Sequence, residues 1–206
     1  MPIFHKNKIL FIHIPKTAGT SIEHYLIKKD NVVINYKDNV KNLFSYNGKY
    51  GFDHSLQHLT FKEILLLYPK VEEYKKFTVV RNPYDRIVSE YYYHLQITRK
   101  WKKQKTEIQE DFEEFLNFYF NTNDTFDNHK IPQYKYIEGI NENDIKIMKF
   151  ETLKTDFMDF FNEELQYHIN KTKRDKNYLD ILTPNTIKKI NEYYYEDFIK
   201  FNYELI

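Results

Sequence analysis

Between residues 8 and 26 the chain reads KILFIHIPKTAGTSIEHYL, and its apolar pattern changes period partway. Ile9, Leu10, Phe11, Ile12 and Ile14 form a run rich in β-branched and aromatic residues, the pattern of a buried strand. Pro15 ends it, because proline has no N–H for a ladder hydrogen bond. Ile22, Tyr25 and Leu26 then recur at helical spacing, so the small polar turn at residues 16–21 opens a helix. The pattern returns at residues 77–80, a short strand followed by Arg81, with Pro83 at the first position of a helix. Ile87, Tyr91 and Leu95 mark that helix's buried stripe. A third unit follows: a strand at residues 145–150, then Glu151, then a helix through Phe157 and Phe161.

The remaining elements read in order. Residues 32–36 are a predicted strand, and residues 38–51 a polar loop with Leu43 and Phe44 tucked inward. Thr60 and Glu63 have capping-box spacing, predicting a helix over 60–68 that stops at Pro69. Residues 98–110 are charged and predicted to be exposed, with Trp101 their one large apolar residue; 111–120 form an aromatic helix and 121–128 a loop. Residues 129–137 turn helical after Pro132, and 170–176 make a basic loop. Thr183 and Pro184 start a last helix to about residue 201, with Ile187, Ile190, Tyr194 and Phe198 inward. Strands alternating with helices predict one α/β domain over 1–206, a mainly parallel sheet flanked by helices. Its site should lie at the strands' carboxyl ends.

Composition narrows the function classes. Lys plus Arg number 31 against 30 Asp plus Glu, and a net charge of +1 gives no electrostatic case for nucleic acid. Without cysteine there is no disulfide framework and no thiolate metal site, which suits a reducing, cytoplasmic setting. No stretch has the length and apolarity of a membrane span, and no signal-peptide pattern opens the chain; a trimmed lumenal form stays open as well. Tyr and Phe carry an aromatic content of 18%, which supplies core volume and stacking surfaces.

The opening unit has the chemistry of an anion cradle. Unpaired N–H groups of the first helical turn and the helix dipole favour negative charge there. Lys16 adds a full positive charge, and Gly19 permits close backbone approach. The order is not that of a Walker A loop, in which the lysine follows the last glycine. At the second unit, the Arg81 guanidinium and the Ser89 hydroxyl can converge on a phosphate; Arg81 can equally pair with Asp85.

The segment IPKTAGTS resembles the 5′-phosphosulfate loop of sulfotransferases that use 3′-phosphoadenosine 5′-phosphosulfate (PAPS), and RNPYDRIVSE resembles their 3′-phosphate motif. HKIPQYKYI, IKIMKFETLKTDF and YYYEDFIKFNYE are similar to later segments of carbohydrate sulfotransferases, closest to the heparan sulfate and dermatan 2-O-sulfotransferases and their bacterial relatives. The resemblance implies a P-loop-like fold, PAPS as donor and a hydroxyl-bearing acceptor, a carbohydrate in the branch it is most similar to. It assigns donor binding to Lys16, Thr17, Ala18, Gly19, Thr20, Ser21, Arg81 and Ser89. The basic loop with Lys171, Thr172, Lys173 and Arg174 lies where such enzymes close over the nucleotide, though an ordinary solvated turn reads the same way.

Sulfuryl transfer needs a proton acceptor, a stabilised leaving oxygen and in-line geometry. Lys16 fits the leaving oxygen, and a histidine fits the base. Of eight histidines, His58 is the choice, because QHLTF resembles the segment bearing the base in the 2-O branch; His54 is the alternative. A His-x-x-x-His pair can also hold a metal, but no third ligand is visible in the sequence, and no metal is expected. His13 reads as a core residue, Arg86 as a structural pairing, and His129 as structural or acceptor-binding. Two rivals stay open: a nucleotide-dependent kinase with a variant phosphate loop, and a nucleotide-binding module without catalysis.

Overall fold

A computed structural model describes residues 3–31, 46–48, 51–54, 56–124, 127–166 and 177–206. Six strands occur among them: β1 (Ile3–Phe4), β2 (Ile9–Ile12), β3 (Tyr46–Gly48), β4 (Gly51–His54), β5 (Lys75–Val80) and β6 (Ile145–Lys149). The main sheet has the order β1-β2-β5-β6, with β2, β5 and β6 parallel and β1 antiparallel at the edge. Around it run helices α1 (Gly19–Lys29), α2 (Phe61–Leu67), α3 (Pro83–Tyr93), α4 (Ile108–Asn121), α5 (Gln133–Tyr136), α6 (Leu153–Phe161) and α7 (Pro184–Lys200).

The near-continuous apolar strands follow from burial on both faces. Ile9 and Phe11 of β2 point to one side, where Ile22 and Leu26 of α1 meet Phe77, Met148 and Phe157. Leu10 and Ile12 point to the other, against Phe61 and Ile64 of α2, Val80 and Tyr136. A third cluster joins Ile87 and Tyr91 of α3 to Phe112, Phe115 and Tyr119 of α4 and Ile190 and Phe198 of α7. Each such side chain contributes roughly 1.5–3 kcal/mol through removal from water. The capping box at Thr60 and Glu63 is present, and Thr183 caps α7 with Pro184 in its first turn.

Three sequence expectations need correction. The edge strand β1 was not expected; two residues carry no usable periodicity. Strands β3 and β4 pair antiparallel where a loop over 38–51 was predicted; the predicted strand at 32–36, with Leu43 and Phe44, lies outside the described residues. Residues 98–110 are not wholly exposed, because Trp101 is buried against Phe115. The anchor is Asp111, whose carboxylate accepts hydrogen bonds from Trp101 Nε1 (3.1 Å), Tyr91 Oη (2.7 Å) and the amides of Gln104 (2.5 Å) and Lys105 (3.1 Å). Burial acts to raise its pKa, but those donors outweigh burial and hold it below the ordinary carboxylate value.

Register sets Ile12 beside Thr78 and Val80 beside Lys149, so the three parallel strands end at one edge. Residues 13–18, Arg81 and Glu151 all emerge there. Glu151 fixes the neighbouring turn by accepting the Asn82 amide at 2.8 Å and the Tyr203 hydroxyl at 2.8 Å. Among the described residues no helix is long and apolar enough to cross a membrane.

Candidate active site

The loop after β2 is held by its carbonyls. Thr17 is fully buried and donates its hydroxyl to the Ile14 carbonyl at 2.7 Å; Arg86 Nε donates to Pro15 O at 3.2 Å, and Arg81 Nη1 to Lys16 O at 2.9 Å. Lys16 and Ala18 both take left-handed backbone (φ 67° and 69°), a costly conformation for non-glycine residues that turns the chain into α1. Gly19 has another reason to be glycine. A Cβ there would lie 1.8 Å from His13 Nε2, so its close approach is to an imidazole ring rather than around a positive φ. Ser21 is buried in the first turn, where its amide bonds the Ala18 carbonyl at 3.0 Å. Thr20 lies beside it at the start of α1.

Arg81 leaves the end of β5 with its backbone clamped. Gln133 accepts its N–H and donates to its carbonyl, each at 2.9 Å. The guanidinium stacks 3.9 Å above Phe150 and pairs with Asp85 through Nε (2.7 Å) and Nη2 (2.6 Å). Of the two readings of Arg81, the Asp85 pairing is present, and it coexists with a bond that ties Arg81 to the loop. Ser89 is buried on α3. Arg86 also donates to the carbonyls of His129 (2.7 Å) and Ile131 (3.2 Å), bracing the loop against the segment before α5.

Behind the cradle lies a row of imidazoles that the sequence did not reveal as a unit. Glu23 accepts from His13 Nδ1 at 2.8 Å and from Gln57 at 2.5 Å. The His13 ring meets His58 edge-on at 4.6 Å, and His58 meets His129 at 4.7 Å. His129 Nδ1 faces both oxygens of Glu90, at 3.0 and 2.9 Å, and Glu90 also accepts from His94 Nε2 at 3.0 Å. Tyr93 stacks on His129, and Lys16 Nζ sits 4.0 Å over the Tyr93 ring. A continuous line of contacts therefore joins Lys16 to His58.

Electrostatics follow from burial and from these partners. Burial first, then the neighbouring His13 and His129, push His58 well below its ordinary value, so the ring is neutral. Its Nδ1 faces the His13 carbonyl at 3.2 Å, which makes Nδ1 the protonated nitrogen and leaves Nε2 as an acceptor. Burial lowers His129 as well, with Glu90 pulling the other way. Burial would raise Glu90, but His129, His94 and Lys16 keep it well below the usual carboxylate range.

His13, read as a core residue, is buried yet part of this row. His54 closes β4. Lys171, Thr172, Lys173 and Arg174 lie outside the described residues. The sequence showed no third ligand beside His58, whereas space supplies two: one donor atom each of His58, Asp127 and His129 lies within 4.8 Å of the others. The one sequence signal for Glu90 was a carboxylate set among apolar and aromatic residues; His129 lies in a polar stretch and carried no such signal.

A loop-to-helix cradle, a strand-end arginine and a neutral imidazole bonded to the His13 carbonyl together form the candidate site of this α/β fold. The chain belongs to the sulfotransferase family, whose model matches residues 1–204. It is similar in fold to mouse sulfotransferase SULT7A1, crystallised in complex with PAP, with a TM-score of 0.56 at 13% identity, covering 94% of this chain and 85% of that one. No curated protein sequence matched.

Proposed function

We propose that this sulfotransferase is a single-domain enzyme that moves the sulfuryl group of PAPS to a hydroxyl of a carbohydrate, as in the 2-O-sulfotransferase branch its motifs resemble. The observation that carries this is the 2.9 Å bond from Arg81 Nη1 to the Lys16 carbonyl. It joins the two strand-end motifs into one surface, as a donor charged at both its 3′ and 5′ positions requires. The PAP-bound state of the structurally similar mouse enzyme supports the same donor.

In this reading the loop amides from Lys16 to Ser21 and the Lys16 ammonium hold the 5′-phosphosulfate, while Arg81 and Ser89 hold the 3′-phosphate. The family resemblance also assigns Lys171, Thr172 and Lys173, which lie outside the described residues, to nucleotide binding. The acceptor hydroxyl passes its proton to His58 Nε2 as its oxygen bonds sulfur. The S–O bond to the 5′-phosphate breaks, and that phosphate oxygen leaves with the electron pair, stabilised by Lys16. A buried neutral imidazole is by itself a weak base; an anionic donor beside it raises its proton affinity when both substrates are bound. The positive groups of the cradle supply the charge stabilisation, so the step needs no metal.

Incubation of the protein with 35S-labelled PAPS and a panel of polysaccharides, glycolipids and small alcohols tests this. Label should enter a polysaccharide in the presence of chelator, and added PAP should suppress it. Label confined to non-carbohydrate alcohols would overturn the acceptor class, and no transfer to any of them would favour a binding module without catalysis.

A further inference from the structure

We infer that His58, Asp127 and His129 form a binding site for a transition-metal dication of the zinc type. Donor atoms of the three converge to within 4.8 Å. Ligands around a tetrahedral zinc at about 2.0–2.1 Å stand roughly 3.4 Å apart, so small side-chain rotations close the set. Two imidazoles and one carboxylate suit zinc, cobalt or nickel better than magnesium or calcium, which prefer oxygen shells.

The surroundings are those of ligands held ready. His129 gives its Nδ1 to the Glu90 carboxylate and His58 gives its Nδ1 to the His13 carbonyl, so each ring keeps Nε2 for a metal. A carboxylate or carbonyl behind the far ring nitrogen is the usual support of a metal-bound histidine. The turn that carries two of the ligands is fastened to the third. Asp127 and Asn128 both take left-handed backbone, and Asn128 Nδ2 donates to the His58 carbonyl at 2.9 Å. Asn128's own carbonyl accepts the Tyr136 hydroxyl at 2.6 Å. Lys16, over Tyr93, opposes a dication, and Glu90 behind His129 compensates it.

One consequence rests on the reading of His58 as the base. A metal on His58 Nε2 takes the lone pair that accepts the acceptor's proton, so an occupied site is an inhibited enzyme. The metal is then a regulator rather than a cofactor of the transfer.

The test is titration of the chelator-treated full chain with cobalt(II) and zinc, with donor and acceptor absent. Cobalt should bind one per chain with the visible absorption of a four- or five-coordinate nitrogen and oxygen site, and zinc should displace it. Glu90→Gln should weaken binding by about 10- to 100-fold, as loss of a supporting carboxylate does, and Asp127→Ala and His129→Ala by more. His129→Gln, compared by circular dichroism, separates ligand loss from misfolding. Absence of stoichiometric binding, or binding indifferent to all of these substitutions, overturns the site and leaves the His58 reading untouched. Stoichiometric zinc binding with undiminished turnover keeps the site and counts against His58 as the base.

Discussion

His58→Ala should lower turnover by about two to four orders of magnitude while leaving donor affinity nearly unchanged, the range seen when a positioned base is removed. The reasoning is geometric. His58 lies on the short helical turn before α2, and its Nδ1 is engaged by the His13 carbonyl. The ring is thus fixed in the tautomer that offers Nε2, and a chain of contacts through His129 and Tyr93 links it to Lys16. None of those contacts makes His58 part of the loop that takes the donor. Single-turnover rates with saturating labelled donor, measured beside donor affinity by calorimetry, separate the two effects. Unchanged turnover would move the proton-accepting role to His54; equal losses in rate and donor affinity would make His58 a structural support of the cradle.

Gly19→Ala should damage both stability and donor binding. The added Cβ would meet three atoms of the His13 ring at 1.8, 2.0 and 2.4 Å, so something must move. The ring has little freedom: it stacks on Phe11 at 5.4 Å, meets His58 at 4.6 Å and bonds Glu23. Either His13 leaves Glu23 or the first turn of α1 lifts away, and the second distorts the amide cradle. Overpacking of this kind costs about 1–3 kcal/mol. In a chain of this length that lowers the melting temperature by roughly 2–12 °C. Ala18→Gly, at a left-handed position that glycine adopts freely, should keep both fold and affinity. A Gly19→Ala protein that melts and binds PAP like the parent would show that the loop is not built against His13.

The parts legible in the sequence are those whose signal is local. An apolar run, a proline and a lysine-bearing turn sit within a few residues of one another, so Lys16 and the start of α1 could be read directly, as could Arg81 ahead of Pro83. The mainly parallel sheet followed from three repeats of strand, polar residue and helix, though its strand order did not. What stayed hidden depends on pairs far apart in the chain. His129 meets Glu90 across 39 positions and His58 meets the His13 carbonyl across 45, and neither pair has a spacing rule. The role of Gly19 was half legible: close approach was expected, but against a ligand rather than against His13. Asp127 was not legible because it meets His58 only in space, from a separate part of the chain, whereas the visible His54 and His58 pair lies within one segment.

The central claim is that one adenosine compound, phosphorylated at both its 3′ and 5′ positions, is held between Lys16 and Arg81. Its most direct test is calorimetric titration of PAP and of adenosine 5′-monophosphate into the parent, Lys16→Ala and Arg81→Ala proteins. The account predicts one PAP per chain and weaker PAP binding in both variants. The advantage of PAP over the monophosphate should largely disappear in Arg81→Ala alone, since that side chain meets the 3′-phosphate. PAP bound no more tightly than the monophosphate by the parent, or equally well by all three proteins, would contradict it.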